Sequence, residues 1–165
     1  MPDIFLDLRH IDYVSDQNAP VSAWRGYADI LFTTATGALA SFSCIVDSGA
    51  PFSVLPFSLW PSYGGVQWNP LGQQLTRQGK PVPDALKWQD VDCSLGATYV
   101  HLVDPQTGTK TNRPFLVVAK FAIQRSLQPH LELAAVLGMN FLVDNGLRLA
   151  LDGTGTNLVG YLSVP

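Results

Sequence analysis

The sequence predicts an all-β fold, and three observations carry that expectation. Fourteen glycines and twelve prolines are scattered along the 165 residues, the pattern that frequent turns between short strands produce. Between those turns recur apolar runs rich in aromatic and β-branched residues, such as Trp24 to Thr34 and Pro114 to Phe121. Charged residues make up 14% of the chain and hydrophobic residues 47%, which suits a compact domain or a subunit that buries surface against a partner, and opposes disorder. The length is that of one domain, residues 1–165, with 1–20 as either an N-terminal extension or a dimer-contact segment.

Taken in order, Asp16-Gln17-Asn18-Ala19-Pro20 reads as a loop, and Trp24 to Thr34 as a strand. Thr36-Gly37 signals a turn, after which Leu39 to Val46 returns as a second strand whose imperfect alternation fits two partly covered faces. Phe52 to Leu55 re-enters the core, and Phe57 to Trp60 forms one helical turn ended by Pro61 and Gly64-Gly65. Leu71 to Lys87 is polar and turn-rich and reads as a loop or hairpin. Trp88 to Leu95 and Ala97 to Val103 are strand-like, followed by a turn at Pro105-Gln106-Thr107-Gly108 and the apolar strand Pro114 to Phe121. Leu131 to Leu137 reads as a strand, Met139 to Asn145 as a short helix after Gly138. Leu147 to Leu151 and Leu158 to Ser163 flank a hairpin turn at Asp152-Gly153-Thr154-Gly155.

Composition excludes several classes of function. The net charge of −3 and the absence of a Lys/Arg cluster leave no footprint for nucleic acid or an anionic membrane. Met1 to Arg9 has acids where a secretion signal has a basic start, and no stretch reaches the ~18 apolar residues of a membrane helix; a cytoplasmic protein is the expectation. Cys44 and Cys93 are expected as two buried thiols. His10, His101 and His130 are dispersed, and His130 with Glu132 lacks a third ligand, so no metal site is expected.

Two segments carry chemistry. In Cys44-Ile45-Val46-Asp47-Ser48-Gly49-Ala50 a carboxylate ends an apolar run and is followed by a hydroxyl and two small residues. Strand packing fixes such an aspartate, Gly49 lets the chain turn tightly, and Ser48 offers a hydroxyl to hold the loop. Asp, Ser and Gly also build ordinary turns, but here Phe52, Val54 and Leu55 return to a core directly afterwards. About ninety residues later, Ala134-Ala135-Val136-Leu137-Gly138 leads into Met139-Asn140-Phe141-Leu142, which by itself reads as a buried strand turning into a helix at glycine.

Together the two segments resemble the retropepsin-like aspartic peptidases, whose pattern is apolar-apolar-Asp-[Ser/Thr]-Gly-Ala and then, far downstream, apolar-apolar-Gly before a short helix. The resemblance reaches from Tyr27 to Leu162 and is specific at 44–56 and 134–142. It implies a closed-barrel-like fold with one short C-terminal helix, and an aspartic endopeptidase acting on a peptide or protein substrate without a cofactor. Asp47 would be catalytic, with Ser48, Gly49, Ala50, Val136, Leu137 and Gly138 as support of its loop. A flap falls in Leu71 to Lys87, where Gln78, Gly79 and Lys80 would meet substrate. One Asp-[Ser/Thr]-Gly per chain implies a homodimer in which Asp47 faces its counterpart, the termini and catalytic loops making the contact.

Two departures stand out. Viral members carry acids just after Asp-Thr-Gly-Ala and an arginine after the downstream glycine; here Pro51, Phe52 and Met139 stand there. Both ends of that ion pair are missing together, so no buried charge is left alone, and viral-type substrate anchoring goes with it. A second reading keeps the fold without the chemistry: an inactive dimerisation or peptide-binding module in which Asp47 is a structural hydrogen-bond acceptor. A third is an unrelated β-barrel domain with a coincidental motif.

Overall fold

A computed structural model describes residues 3–14, 17–59, 65–72, 78, 87–88, 91–123, 135–154 and 157–163. The all-β expectation holds: among the described residues there are twelve strands, one 3-10 turn, Phe57–Leu59, and one short helix, α1 (Met139–Asp144). Among the described residues no helix is long and apolar enough to cross a membrane.

The strands are β1 (Ile4–Phe5), β2 (Asp7–Val14), β3 (Pro20–Thr33), β4 (Leu39–Val46), β5 (Ser53–Leu55), β6 (Asn69–Gly72), β7 (Lys87–Trp88), β8 (Val91–Val103), β9 (Phe115–Ala122), β10 (Val136–Leu137), β11 (Arg148–Thr154) and β12 (Asn157–Ser163). β1, β12 and β11 form a small sheet in that order; the larger sheet runs β2-β3-β4-β10-β5-β9-β8-β6, with β7 on β8. One edge of β3 pairs with β4; the other meets β2 along Pro20–Tyr27 and then β8 along Asp29–Leu31. The pairings therefore run from β3 through β4, β10, β5, β9 and β8 back to β3.

Residues buried along these strands, with Ile4, Leu162 and Phe141, form the core. Ala28, Ile30 and Phe32 alternate inward along β3, as do Phe115, Val117, Ala119 and Phe121 along β9. Phe141 of α1 meets Phe115 edge-on at 6.3 Å, and Trp68 lies against Phe121 at 4.8 Å between ring centroids. Such aromatic pairs add to what area burial alone gives. A Cβ at Gly96 would fall 1.7 Å from the Trp68 ring, so the indole lies directly on the strand backbone.

Several strand boundaries differ from the sequence reading, among them Leu71 and Gly72, read as the start of a loop or hairpin but part of β6. β3 starts at Pro20 rather than Trp24, because Pro20–Arg25 pair with β2, a strand the charged sequence Asp-Leu-Arg-His-Ile-Asp conceals. Val91 to Val103 is one strand, not two, and Lys87–Trp88 is a separate short one. Asp152, Gly153 and Thr154 belong to β11 rather than to a turn, since they pair with Val159, Leu158 and Asn157. Cys44 and Cys93 are both buried, as expected.

The predicted turn at 105–108 is present and hangs on Asp104, which is itself buried. Its Oδ1 accepts from the N–H groups of Gln106 (2.8 Å) and Thr107 (2.9 Å), and its Oδ2 meets the Phe5 N–H of β1 at 3.5 Å. Burial alone would raise this carboxyl, but the Thr107, Gln106 and Phe5 N–H groups outweigh it and hold Asp104 below the ordinary carboxylate range. With the folded value below the unfolded one, the stabilisation is present above about pH 4 and fades as pH falls through the folded value. Asp104→Ala should therefore cost about 1–3 kcal/mol in urea unfolding at pH 7, and the gap from wild type should narrow at pH 3.

Candidate active site

Asp47 is the first residue beyond β4, so the strand that fixes it is buried on its core side by Cys44 and Val46. The strand that follows the Asp47 loop, β5, does not pair with β4. Between them lies β10, parallel to β4 (Val136 opposite Ile45, Leu137 opposite Val46) and antiparallel to β5 (Val136 opposite Val54). Ile45 N–H donates to the Ala135 carbonyl at 2.8 Å, and Asp47 N–H to the Leu137 carbonyl at 3.0 Å. Residues 47–52 thus arch across a strand, a span of roughly 10 Å between β4 and β5.

Within the arch, the Asp47 Oδ1 accepts from the Gly49 N–H at 2.8 Å, and its carbonyl accepts from the Ala50 N–H at 3.2 Å. The side chain thereby closes its own turn, as short acidic side chains do. Asp47, Ser48 and Gly49 are exposed. Among the described residues nothing donates to Oδ2, which leaves that oxygen open to solvent or a ligand.

Val136, Leu137 and Gly138 lie against this arch. Gly138 has an extended backbone (φ −87°, ψ −174°), so it is a glycine for room and not for an unusual φ. An added Cβ would stand 2.6 Å from the Phe52 carbonyl carbon and oxygen and 2.7 Å from the Ala50 oxygen. The helix that starts here ties its first N–H groups to the arch: Met139 donates to the Ala50 carbonyl (2.7 Å) and Asn140 to that of Pro51 (3.3 Å). These donors have no partner inside a helix, and the loop supplies one.

Two polar residues that sequence reasoning missed complete the clamp. The buried Ser53 donates through its hydroxyl and its backbone N–H to the Asn140 Oδ1, at 3.0 and 2.8 Å, and its hydroxyl accepts from the Gly138 N–H at 3.0 Å. Asn140 Nδ2 then donates to the Val118 carbonyl of β9 at 2.6 Å. Asn145 repeats the device at the far end of α1, exchanging hydrogen bonds with both backbone groups of Leu116. The available signal was an asparagine inside the apolar run Met-Asn-Phe-Leu-Val, since a polar group there must find a partner.

Cys44 lies three residues before Asp47 but is no nucleophile: burial, aided by the charge of Asp29, pushes its thiol up. Lys120 of β9 places its ammonium 5.5 Å from the centre of the Phe52 ring at the foot of the arch. Of the expected flap contacts, Gln78 is exposed, while Gly79 and Lys80 lie outside the described residues. Among the described residues no three His, Cys, Asp or Glu side chains gather where a metal ion could be held.

The clamp makes a direct prediction. Ser53→Ala strands the buried Gly138 N–H and should cost about 1–3 kcal/mol in urea unfolding, with the m-value unchanged. Gly138→Ala should cost at least as much, because both atoms in its way are backbone. No family model matches the chain, and no curated protein matches it.

Proposed function

We propose that the chain is an aspartic endopeptidase of the retropepsin kind, acting as a homodimer in which Asp47 of each copy forms half of a catalytic dyad. The observation that carries this reading is the meeting of two motifs far apart in sequence. Val136-Leu137 pairs with Ile45-Val46 directly before the Asp47-Ser48-Gly49-Ala50 arch, Asp47 N–H donates to the Leu137 carbonyl, and Gly138 passes where a side chain would not fit. The ring of strand pairings from β3 back to β3 supports the closed-barrel-like fold that the resemblance implies. One chain offers one such aspartate, since Asp152-Gly153 lies within β11.

In the dyad the two carboxyl groups share one proton, because two like charges so close do not both ionise cheaply. The ionised member takes a proton from a water, and the resulting nucleophile adds to the peptide carbonyl carbon. The protonated member gives its proton to the carbonyl oxygen, and the tetrahedral intermediate then collapses, expelling the amine as it takes up a proton. The bond from the Gly49 N–H to Oδ1 orients the carboxylate and leaves Oδ2 for the water or its partner. No cofactor enters this chemistry.

That same hydrogen bond favours the second reading as well, an inactive peptide-binding or dimerisation module with Asp47 as loop acceptor. Incubating a mixture of unstructured peptides with wild type and Asp47→Asn from about pH 4 to 7 separates the two. Under the peptidase reading only wild type cuts, with Asp47→Asn reduced by at least about a thousandfold. Equal cutting by both proteins would falsify the Asp47 mechanism; cutting by neither, with both dimeric, would favour the module.

A further inference from the structure

The strands that hold the arch sort their side chains onto two faces. Val46, Leu137, Leu55 and Phe121 belong to the core. Their chain neighbours Ile45, Val136, Val54 and Lys120 are set side by side by the register, one from each of β4, β10, β5 and β9. Successive residues of a strand point to opposite faces, so this second row lies on the side away from the core. None of its apolar members is part of the core cluster, although Val54 is only 6% exposed. Asp47, two residues beyond Ile45 and still bonded to β10, leaves the ladder on the same side as this row.

Three members of the row are apolar, and the last carries a charge. Lys120 is half-buried, and its ammonium stands 5.5 Å from the centre of the Phe52 ring. An aromatic face attracts a cation but brings no negative charge to cancel it. Among the described residues no carboxylate pairs with Lys120. Pro51 and Phe52 on the arch, and Leu95 opposite Lys120 on β8, are all uncharged. A positive charge thus closes the far end of an apolar strip that starts at Asp47. Partial burial strengthens its attraction for an anion, since less water screens it.

We infer that Lys120 is a specificity-determining residue: it selects peptides with a Glu or Asp side chain a few residues from the bond that Asp47 attacks. The inference rests on the proposed peptidase site and names its substrate class. The distance follows from strand geometry. Three strand separations of about 4.8 Å put the Lys120 backbone roughly 14 Å from β4. Its ammonium reaches to Phe52 on the arch, which shortens that span. An extended peptide advances about 3.3 Å per residue, so the acidic residue stands about two to four positions from the cut. Positions nearer the cut meet Ile45, Val136 and Val54 and favour apolar side chains.

The test uses the full chain and a set of short peptides, apolar except for one Glu moved through every position, each with Gln and Lys counterparts. Binding is read by isothermal titration calorimetry on Asp47→Asn, which lacks the catalytic carboxylate, and cleavage is read as kcat/KM on wild type. At one position Glu should be favoured over Gln roughly three- to tenfold, and by less in high salt. Lys120→Gln should abolish the preference, Lys120→Arg should keep it, and Lys120→Glu should turn it toward the Lys peptide, with circular dichroism showing that each variant is folded. Equal binding of Glu and Gln peptides overturns the inference, as does a preference that survives in Lys120→Gln, or no binding of any peptide. A preference in binding that depends on Lys120, without cleavage by wild type, counts against the peptidase reading alone. Cleavage without the preference counts against the role of Lys120 alone.

Discussion

Two residues, Val136 and Leu137, hold this molecule in the form it has. By entering between β4 and β5 they separate two strands that follow one another in sequence and would otherwise pair as a hairpin. The connection between those strands must then bridge a strand's width, and it does so as an arch with Asp47 at its start. The chain leaving β10 has to pass beneath that arch, which is why Gly138 has no space for a side chain. The exposed carboxylate, the tight turn at Gly49 and the start of α1 are consequences of one insertion.

An arch of this kind is held by polar contacts, since its backbone groups cannot join a ladder on both sides. The first N–H groups of α1 reach the Ala50 and Pro51 carbonyls, and Ser53 and Asn140, each satisfied on more than one side, fix the foot of the arch against Gly138 and β9. Buried networks that are fully partnered define one arrangement sharply, whereas half-satisfied ones are costly. Asp47 is thus carried on a support that resists small displacements, the condition any carboxylate needs if it is to hold a water or a peptide group in register.

Much of this was readable from the sequence, and what was not has definite causes. β4, β9 and α1 announce themselves because apolar residues recur at the spacing of their element, and the Asp47 turn because its residue types suit a tight bend. β2 is hidden because its ribbon with the start of β3 alternates exposed residues with only half-buried ones, so no fully buried side imposes a strong apolar alternation. The end of β11 is misread because Asp152 and Gly153 are turn residues by preference, and pairing with Val159 and Leu158 overrides that preference. The Ser53–Asn140 clamp joins residues 87 apart, and such a contact leaves no local pattern in either segment. The partnership of β4 with β10 is equally distant, and no periodicity announces it.

The small sheet has a kinetic meaning. β1 pairs Ile4 with Leu162, so nearly the whole chain forms the loop that this contact closes, at an entropic cost of roughly 4–5 kcal/mol for a flexible chain. The β11–β12 hairpin closes locally and needs no such search. During synthesis the hairpin's own edge against β1 stays vacant until the first and last strands meet, so docking of β1 is a late step that finishes a fold already assembled around β10. Late contacts of this sort govern how fast a protein comes apart more than how fast it forms. The first strand therefore acts as a latch on the lifetime of the native state, with little hold over the rate at which that state is reached.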